Sequence, residues 1–253
     1  MINKIALAQF QIVYGDISKN LEIAKIFINS AIEEKCDLIL LPELWSSGFD
    51  LKNSQLYSEQ NLEIIKELQN ISTSSKIEIM GTYIVKECST NRFFNAMVTI
   101  QPDFPRKLYF KKHLFHQMGE NKYFSPGIRS NPINSCLGKI GVGICFDLRF
   151  PDFFTELNNK GADCFIISAH WPLVRIHHWD ILLQARAIEN QSFVIAVNSV
   201  GESGKGVFGG HSTIVTPTGE IIFSAPANEE DVYFINIDLD QISKAREAFK
   251  LIN

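Results

Sequence analysis

The chain has 253 residues, of which 45% are hydrophobic and 21% are charged, and its formal net charge is −4. These values are typical of a globular protein with a sizeable core, and the acidic balance gives no attraction to nucleic acid or to anionic membranes. No segment approaches the ~18 consecutive apolar residues of a membrane span, and the apolar part of residues 1–10 is too short for a signal peptide. We therefore expect no nucleic-acid partner and no membrane partner.

The cysteine and histidine patterns give no sign of a disulfide framework or a metal. The number of cysteines is odd, and no two of them form a Cys-x-x-Cys pair, which favours a reducing compartment and predicts a cytoplasmic protein. The neighbouring histidines lack the spacing and the carboxylates of a zinc motif. We predict no metal and no cofactor. The cysteines are Cys36, Cys88, Cys136, Cys145 and Cys164.

The first elements predict a strand, a helix and a second strand. Residues 4–10 are typical of a strand, and capping side chains at 16–18 predict a helix that runs to about Glu34. Residues 37–41 predict a buried strand, and Glu43 follows it after a proline. A carboxylate at the tip of a buried strand is as compatible with function as with an ordinary solvated loop position.

The next segment predicts more consecutive strands than one doubly wound sheet requires. A helix is expected at about 58–74, followed by strands at 77–86, 93–100 and 105–110. Turn-forming residues separate these strands. The order therefore favours two sheets rather than one.

Two adjacent lysines follow the third of these strands. Lysine pairs are usually solvated, but Lys111 and Lys112 lie between aromatic and aliphatic residues, so at least one should point into apolar surroundings. Alternation places Lys111 and His113 on one side and Lys112 on the other. Glu120 lies in the loop beyond them.

The central motif is an apolar, glycine-interrupted run that ends in a cysteine. Residues 139–144 predict a strand covered on both faces, and Cys145 is followed by Asp147, Arg149 and a proline that can begin a helix. This places a thiol at a strand-to-helix turn, where α/β proteins commonly keep reactive groups. A buried structural cysteine is the equally weighted alternative.

The second half continues with strands and helices and shows no linker, repeat or low-complexity segment. We therefore predict one domain over 1–253. The glycine-rich residues 201–210 do not match a phosphate-binding spacing and are interpreted as a flexible connection near the site. Helices are predicted at about 151–160, 179–190 and 239–250, and strands at 163–169, 193–198, 211–216, 220–224 and 231–237.

Three motifs together resemble the nitrilase superfamily of carbon–nitrogen hydrolases. They are Glu43 after Leu-Pro, Lys111 two residues before the His-Leu-Phe of 113–115, and Cys145 within the GICFDLRFP of 143–151. Each motif is weak alone, but their occurrence in this order is specific, and the resemblance covers nearly the whole chain. The segments 170–172 and 184–191 look most like the bacterial omega-amidase branch.

The resemblance implies an α/β fold, a four-layer α-β-β-α sandwich with two mixed sheets and helices on the outer faces. It implies Glu43, Lys111 and Cys145 as the catalytic residues, and so selects Lys111 rather than Lys112 as the functional lysine. Glu120 resembles the family's second, supporting glutamate. Family members commonly pair through edge strands and the C-terminal segment, so a homodimer is expected.

These groups suit a cysteine-dependent amidohydrolase. Glu43 would accept the Cys145 proton, and the thiolate would attack an amide to form a thioester that water then hydrolyses. Lys111 and the backbone N–H of Phe146 are candidate oxyanion donors. The net pKa shift of Glu43 cannot be predicted, since burial would raise it and Lys111 would lower it.

An omega-amidase substrate such as 2-oxoglutaramate carries a carboxylate, which favours an arginine in the site. Arg175 is the preferred candidate, whereas Arg149 is expected to pair with Asp147 or Asp152 and brace the turn. The remaining substrate-binding residues are expected to form the pocket wall. They are Phe115, Phe146, His170 and Trp171.

Other functions share parts of this pattern. Deaminated glutathione, an N-carbamoyl amino acid or a nitrile would use the same chemistry. A noncatalytic, ligand-binding or partner-binding member of the fold is an alternative of another class, although Glu43, Lys111 and Cys145 are all present. A thiol redox protein lacks a resolving cysteine at a recognisable spacing.

Overall fold

The computed structural model describes residues 2–249, which form helices and strands in alternating groups. The helices are α1 Ile17–Glu33, α2 Ser54–Ser75, α3 Glu120–Tyr123, α4 Pro151–Asn159, α5 Ile176–Asn190 and α6 Asp240–Ala248. The strands are β1 Ile2–Gln9, β2 Leu38–Leu40, β3 Glu78–Glu87, β4 Arg92–Ile100, β5 Lys107–Phe110, β6 Ile133–Ser135, β7 Gly138–Ile144, β8 Cys164–Ala169, β9 Phe193–Asn198, β10 Val200–Ser203, β11 Gly206–Gly209, β12 Thr213–Val215, β13 Ile221–Ser224 and β14 Asp231–Asp238.

Twelve of these fourteen strands form two six-stranded mixed sheets, and β10 and β11 form a separate two-stranded sheet. The first has the order β14-β1-β2-β3-β4-β5, and the second has the order β13-β12-β9-β8-β7-β6. In each sheet two parallel pairings lie at the centre, β1-β2-β3 in the first and β7-β8-β9 in the second. The outer pairings are antiparallel. The two-sheet prediction is confirmed.

Strand alternation divides the core into layers. In β1, Ile5 and Leu7 join a cluster with the second sheet, whereas Ala6 and Ala8 face the helices on the opposite side. The first sheet therefore packs one face on α1 and α2 and the other on the second sheet, whose far face is covered by α4 and α5. This is the four-layer α-β-β-α sandwich that the resemblance implies.

Glycines in β7 let a helix approach the strand that leads to Cys145. A Cβ at Gly141 would lie 2.8 Å from the Phe165 ring of β8 and 3.1 Å from the Leu157 side chain, and one at Gly143 would lie 3.2 Å from the Phe154 ring. Leu157 and Phe154 belong to α4. Because larger residues would push α4 away from the sheet, the glycine-interrupted run follows from this packing.

Several predicted elements differ from the observed ones. α2 begins at Ser54, four residues before the predicted start, and β6 was not predicted. Residues 201–210 were interpreted as a flexible connection, but most of them belong to the β10-β11 hairpin, which spans 200–209. Its sequence contains four glycines, whose low strand propensity hides the pairing. Within residues 2–249, no helix is both long and apolar enough to cross a membrane.

Candidate active site

Three strands deliver the predicted catalytic side chains to one buried position. Glu43 follows β2 and Lys111 follows β5 in the first sheet, while Cys145 follows β7 in the second. Glu43 and Lys111 have no exposed side-chain surface, and Cys145 is buried. The backbone N–H of Glu43 donates to the carbonyl oxygen of Ala169 at 3.2 Å, which joins the tips of the two sheets.

Lys111 is held between two carboxylates. Its Nζ donates to Glu43 Oε1 at 2.7 Å and to Glu120 Oε2 at 2.8 Å, and all three side chains are fully buried. The same Oε2 of Glu120 accepts the backbone N–H of Phe115 at 2.6 Å. Glu120 begins the short helix α3 rather than lying in an open loop. The prediction that one of the two lysines lies inside is confirmed.

Asn95 was missed by the sequence reasoning, although it links the whole cluster. Its Nδ2 donates to Glu43 Oε1 at 2.8 Å and to Glu120 Oε1 at 3.0 Å. Its backbone carbonyl oxygen accepts the Lys111 N–H at 2.9 Å. An asparagine within the apolar strand β4 was the available signal, because a buried amide requires hydrogen-bond partners.

The Cys145 turn has an unusual backbone that Asp147 stabilises. Cys145 has a φ of 45°, a left-handed conformation that non-glycine residues rarely adopt. Asp147 Oδ2 accepts the Ile144 N–H at 3.0 Å and the Tyr109 hydroxyl at 2.7 Å. Its Oδ1 accepts the backbone N–H of His113 at 2.9 Å. A buried carboxylate therefore fixes the turn that presents the thiol.

Burial dominates the electrostatics of the site. It raises the pKa of Glu43, against the opposing charge of Lys111. Burial and the charge of Glu43 also raise the pKa of the Cys145 thiol well above its usual value. Burial opposes the ammonium form of Lys111, but the carboxylates of Glu120 and Glu43 outweigh it and raise the lysine pKa. The resting arrangement therefore pairs a neutral thiol with a carboxyl of raised proton affinity.

An inner cavity of about 240 Å³ lies above Cys145. All five residues predicted to bind substrate are in its wall, and none of its lining residues is an aspartate or a glutamate. Burial and the charge of Lys111 lower the pKa of His170 well below its usual value, so its ring is neutral. The lining residues are Phe115, Gln117, Cys145, Phe146, Arg149, His170, Trp171, Pro172, Arg175 and His178.

Arg149 lies in this cavity instead of bracing the turn. Its guanidinium carbon is 4.7 Å from the centre of the Trp171 ring, and its Nη2 lies 3.1 Å from His178 Nδ1. The prediction that it pairs with Asp147 or Asp152 is wrong. Asp147 is occupied by backbone amides and by Tyr109, so it leaves the guanidinium free to turn towards the cavity.

Arg175 lies where the inner cavity meets an outer one. Its Nη2 donates to Gln117 Oε1 at 3.1 Å, and its guanidinium carbon is 5.9 Å from the centre of the Phe115 ring. Within residues 2–249, neither Arg149 nor Arg175 forms an ion pair. The cavity beside Cys145 thus combines a thiol and two guanidinium groups that an anionic ligand could contact.

The sequence and the fold match those of known proteins. The carbon-nitrogen hydrolase family model matches residues 4–247. A 2-oxoglutaramate amidase of Bacillus subtilis (strain 168) is 33% identical over 250 residues, which cover 98% of this chain and 96% of that protein. A deaminated glutathione amidase of Dictyostelium discoideum is 32% identical, with 92% and 87% covered.

Solved structures agree with the sequence comparisons. The crystal structure of Saccharomyces cerevisiae Nit3, a member of branch 10 of the nitrilase superfamily, has a TM-score of 0.90 and 29% identity, and the match covers 100% of this chain and 96% of that one. The chain belongs to the carbon–nitrogen hydrolase family. It is an amidohydrolase, acting on carbon–nitrogen bonds other than peptide bonds, and the predicted resemblance is confirmed.

Proposed function

We propose that the protein is an omega-amidase that releases ammonia from the terminal amide of a short, carboxylate-bearing keto acid such as 2-oxoglutaramate. The observation that supports this most directly is the cavity beside Cys145, which contains two guanidinium groups and no acidic side chain. The carboxylate of such a keto acid would form an ion pair with these guanidinium groups. The relatives named 2-oxoglutaramate amidase and omega-amidase agree with this substrate class.

In the proposed first step, Glu43 takes the proton of Cys145 as the thiolate attacks the amide carbonyl carbon. The raised pKa of Glu43 suits it to this role, because a stronger base accepts the thiol proton more readily. The Lys111 ammonium and the backbone N–H of Phe146 stabilise the oxyanion. Glu43 then returns its proton to the nitrogen, the carbon–nitrogen bond breaks, and ammonia leaves a thioester on Cys145.

In the second step, Glu43 removes a proton from water, and the water oxygen attacks the thioester carbon. The carbon–sulfur bond breaks, and the thiol recovers its proton from Glu43. Glu120 and Asn95 act as positioning residues, because they hold the Lys111 ammonium and the Glu43 carboxylate in place through hydrogen bonds of 2.8 to 3.0 Å.

The substrate carboxylate is proposed to bind between Arg149 and Arg175. Arg149 is supported by the Trp171 ring and by His178, and Arg175 by Gln117. Such support reduces the side-chain entropy that a guanidinium loses when it binds a carboxylate. Phe115, Phe146, His170 and Trp171 form the remaining wall.

We propose that the enzyme is a cytoplasmic homodimer of single-domain chains. All five cysteines are free, which fits a reducing compartment.

On α5, Ile181 and Ile188 lie seven residues apart on one exposed stripe, with 62% and 49% of their surface accessible. The exposed Ile221 and Ile222 of the edge strand β13 add apolar surface that a second copy could cover. Light scattering of Ile181→Glu against wild type tests this; a monomeric wild type at micromolar concentration would contradict it.

The substrate proposal is tested by comparing kcat/KM for 2-oxoglutaramate, deaminated glutathione, an N-carbamoyl amino acid and a nitrile. We expect 2-oxoglutaramate to be preferred. The uncharged amide that lacks its carboxylate serves as the matched control and should react more slowly by about 10- to 100-fold, the effect of losing a charged hydrogen bond. A clear preference for any of the other classes would reject the omega-amidase assignment.

A further inference from the structure

The two oxygens of the Glu43 carboxylate have different partners. Oε1 accepts hydrogen bonds from Lys111 Nζ at 2.7 Å and from Asn95 Nδ2 at 2.8 Å. Oε2 accepts the backbone N–H of His170 at 3.0 Å. Because a carboxylate oxygen offers two lone pairs, both lone pairs of Oε1 are engaged. Oε2 is therefore the oxygen that can take the Cys145 proton in the proposed mechanism.

The backbone N–H of His170 acts on both partners of this proton transfer. It donates to Oε2 of Glu43, as described above. Burial and the charge of Glu43 raise the pKa of the Cys145 thiol, whereas a hydrogen bond from the His170 backbone opposes them. The position of this one peptide group therefore affects how readily a proton moves between the thiol and the carboxylate.

This peptide group lies where the pairing of two parallel strands ends. β8 and β9 pair as far as Ala169 and Asn198. Beyond that point the backbone of 170–172 leaves the sheet, so its buried N–H and C=O groups need partners outside the strand ladder.

The Asn198 side chain supplies such partners. Its Oδ1 accepts the Trp171 N–H at 2.6 Å, and its Nδ2 donates to the carbonyl oxygens of Trp171 at 3.2 Å and of Gly210 at 2.8 Å. One N–H and two carbonyl groups as neighbours fix the orientation of the amide. The side chain of Asn198 thus continues the strand pairing beyond the last residue of β8.

Asn198 is itself connected to the first sheet. Its backbone N–H donates to Ser212 Oγ at 3.1 Å, and that hydroxyl donates to Gln9 Oε1 at 2.9 Å. Gln9 is the last residue of β1, and its Nε2 donates to the Pro226 carbonyl oxygen at 2.7 Å. Because buried polar networks with satisfied hydrogen bonds are rigid, Asn198 is fixed relative to the sheet that carries Glu43.

We propose that Asn198 is a positioning residue for the reaction. It fixes the peptide groups beyond β8 so that the His170 N–H directs Glu43 Oε2 towards Cys145. This inference rests on the proposed function, because it concerns the same base and the same nucleophile. Asn198 does not line the inner cavity, so it acts through the backbone rather than by contact with the substrate.

The test follows the pH dependence of kcat/KM for 2-oxoglutaramate in Asn198→Ala. We expect kcat/KM at pH 7 to fall by about 10- to 100-fold, the effect of one hydrogen bond to a charged group. The acid limb should move to higher pH, because the Glu43 carboxylate loses a hydrogen bond that stabilises its charged form. The ionisable groups that face Glu43 are Lys111, Glu120 and Cys145, and the variant leaves all three in place.

Asn20→Ala is the matched control, because Asn20 makes the same kinds of contact elsewhere. It is fully buried, accepts the Val13 N–H at 2.8 Å, and donates to the carbonyl oxygens of Val13 at 2.8 Å and of Ser46 at 2.9 Å. The control should lose stability to urea as Asn198→Ala does, but keep the acid limb of the wild type. An acid limb at the wild-type pH in both variants would overturn the proposal.

Asn198→Ser replaces the alanine variant if that variant does not fold. The serine hydroxyl can satisfy one of the freed backbone groups, but it is too short to bond both the N–H and the carbonyl oxygen of Trp171. The same upward shift of the acid limb is expected, and an unshifted limb in a folded Asn198→Ser would equally refute the role of Asn198.

Alkylation of Cys145 by iodoacetamide separates this inference from the proposed function, because it needs no substrate. Mass spectrometry of the peptide that contains Cys145 gives the alkylation rate at each pH. If wild type does not cleave 2-oxoglutaramate but the alkylation profile moves in Asn198→Ala, the proposed function fails and the positioning role stands. If wild type cleaves 2-oxoglutaramate and neither profile moves in the variant, the positioning role alone fails.

Discussion

The buried cluster and the cavities above it use positive charge in opposite ways. In the cluster, Lys111 is fully buried and hydrogen-bonded to two carboxylates. In the cavities, Arg149 and Arg175 form no ion pair within residues 2–249, and Lys205 lies in a wall without acidic residues. The contrast separates a charge that carboxylates compensate inside the protein from charges that no acidic side chain compensates.

Burial explains why the two regions cannot exchange roles. A fully buried ammonium is tolerated only when anions compensate its lost hydration, so Lys111 needs Glu43 and Glu120. A partly exposed guanidinium keeps some of its hydration, so its charge is tolerated without an ion-pair partner. Four predictions test this division, in order of decreasing effect.

The largest effect is expected from Cys145→Ala, which removes the proposed nucleophile. Ammonia release from 2-oxoglutaramate should fall by more than about 10³-fold, because no other group can form the thioester. Circular dichroism and thermal unfolding should show a folded protein, since alanine fits the space of the thiol. Activity close to that of the wild type would refute the mechanism.

Lys111→Met should lose both activity and stability. It leaves Glu43 and Glu120 buried without a cation, which costs about 3–5 kcal/mol in the free energy of unfolding. Lys112→Met is the control, because this neighbouring lysine is partly exposed. Its Nζ lies 3.5 Å from Glu156 Oε2, in a surface ion pair. The control should change the free energy by only about 0–1 kcal/mol. Urea unfolding measures both; equal losses would mean that the buried cluster has no special role.

The pH dependence should report the raised pKa of Glu43. A base must be deprotonated to act, so kcat/KM should rise with pH through an apparent pKa above the ~4.3 of an unperturbed glutamate. Lys111 stays charged and His170 stays neutral around pH 7, because the pKa of the lysine is raised and that of the histidine is lowered. A kcat/KM profile from pH 3.5 to 8 tests this, and an acid limb near 4 would argue against Glu43 as the base.

The smallest effect is expected from Arg149→Met, which removes one of the two proposed carboxylate contacts. We expect kcat/KM for 2-oxoglutaramate to fall by about 10- to 100-fold, the cost of one charged hydrogen bond. The uncharged amide without the carboxylate should be affected far less. If both amides lose the same factor, Arg149 supports the fold of the cavity rather than recognising the substrate.

The parts of the molecule that depend on local sequence were predicted well. Asp16 accepts the Lys19 N–H and begins α1 as expected. Apolar strands followed by polar tips located Glu43 and Cys145, because parallel strands carry their functional groups at one edge. The motif order added Lys111, and the four-layer fold followed from the same resemblance.

The parts that depend on distant partners were not predicted. Asn95 lies in an apolar strand, and its role depends on carboxylates 52 and 25 residues away. Arg149 has two acidic residues nearby in sequence, which suggested a brace, but Asp147 is occupied by other donors. The β10-β11 hairpin is formed by glycine-rich strands that pack on His170 and Tyr14 rather than by strong strand propensity. Local sequence patterns do not identify the distant partners in these contacts.

The hydrogen bond between the Glu43 N–H and Ala169 also determines how the enzyme should fail on heating. Glu43 belongs to one sheet and Cys145 to the other, so the separation of these two proposed catalytic groups depends on the side chains packed between the sheets. A slight slide or swelling of this layer would part the two groups while every strand keeps its own backbone pairing. On heating, the loss of activity should therefore precede the loss of β-structure. Activity then reports the packing between the two sheets more sensitively than secondary structure does.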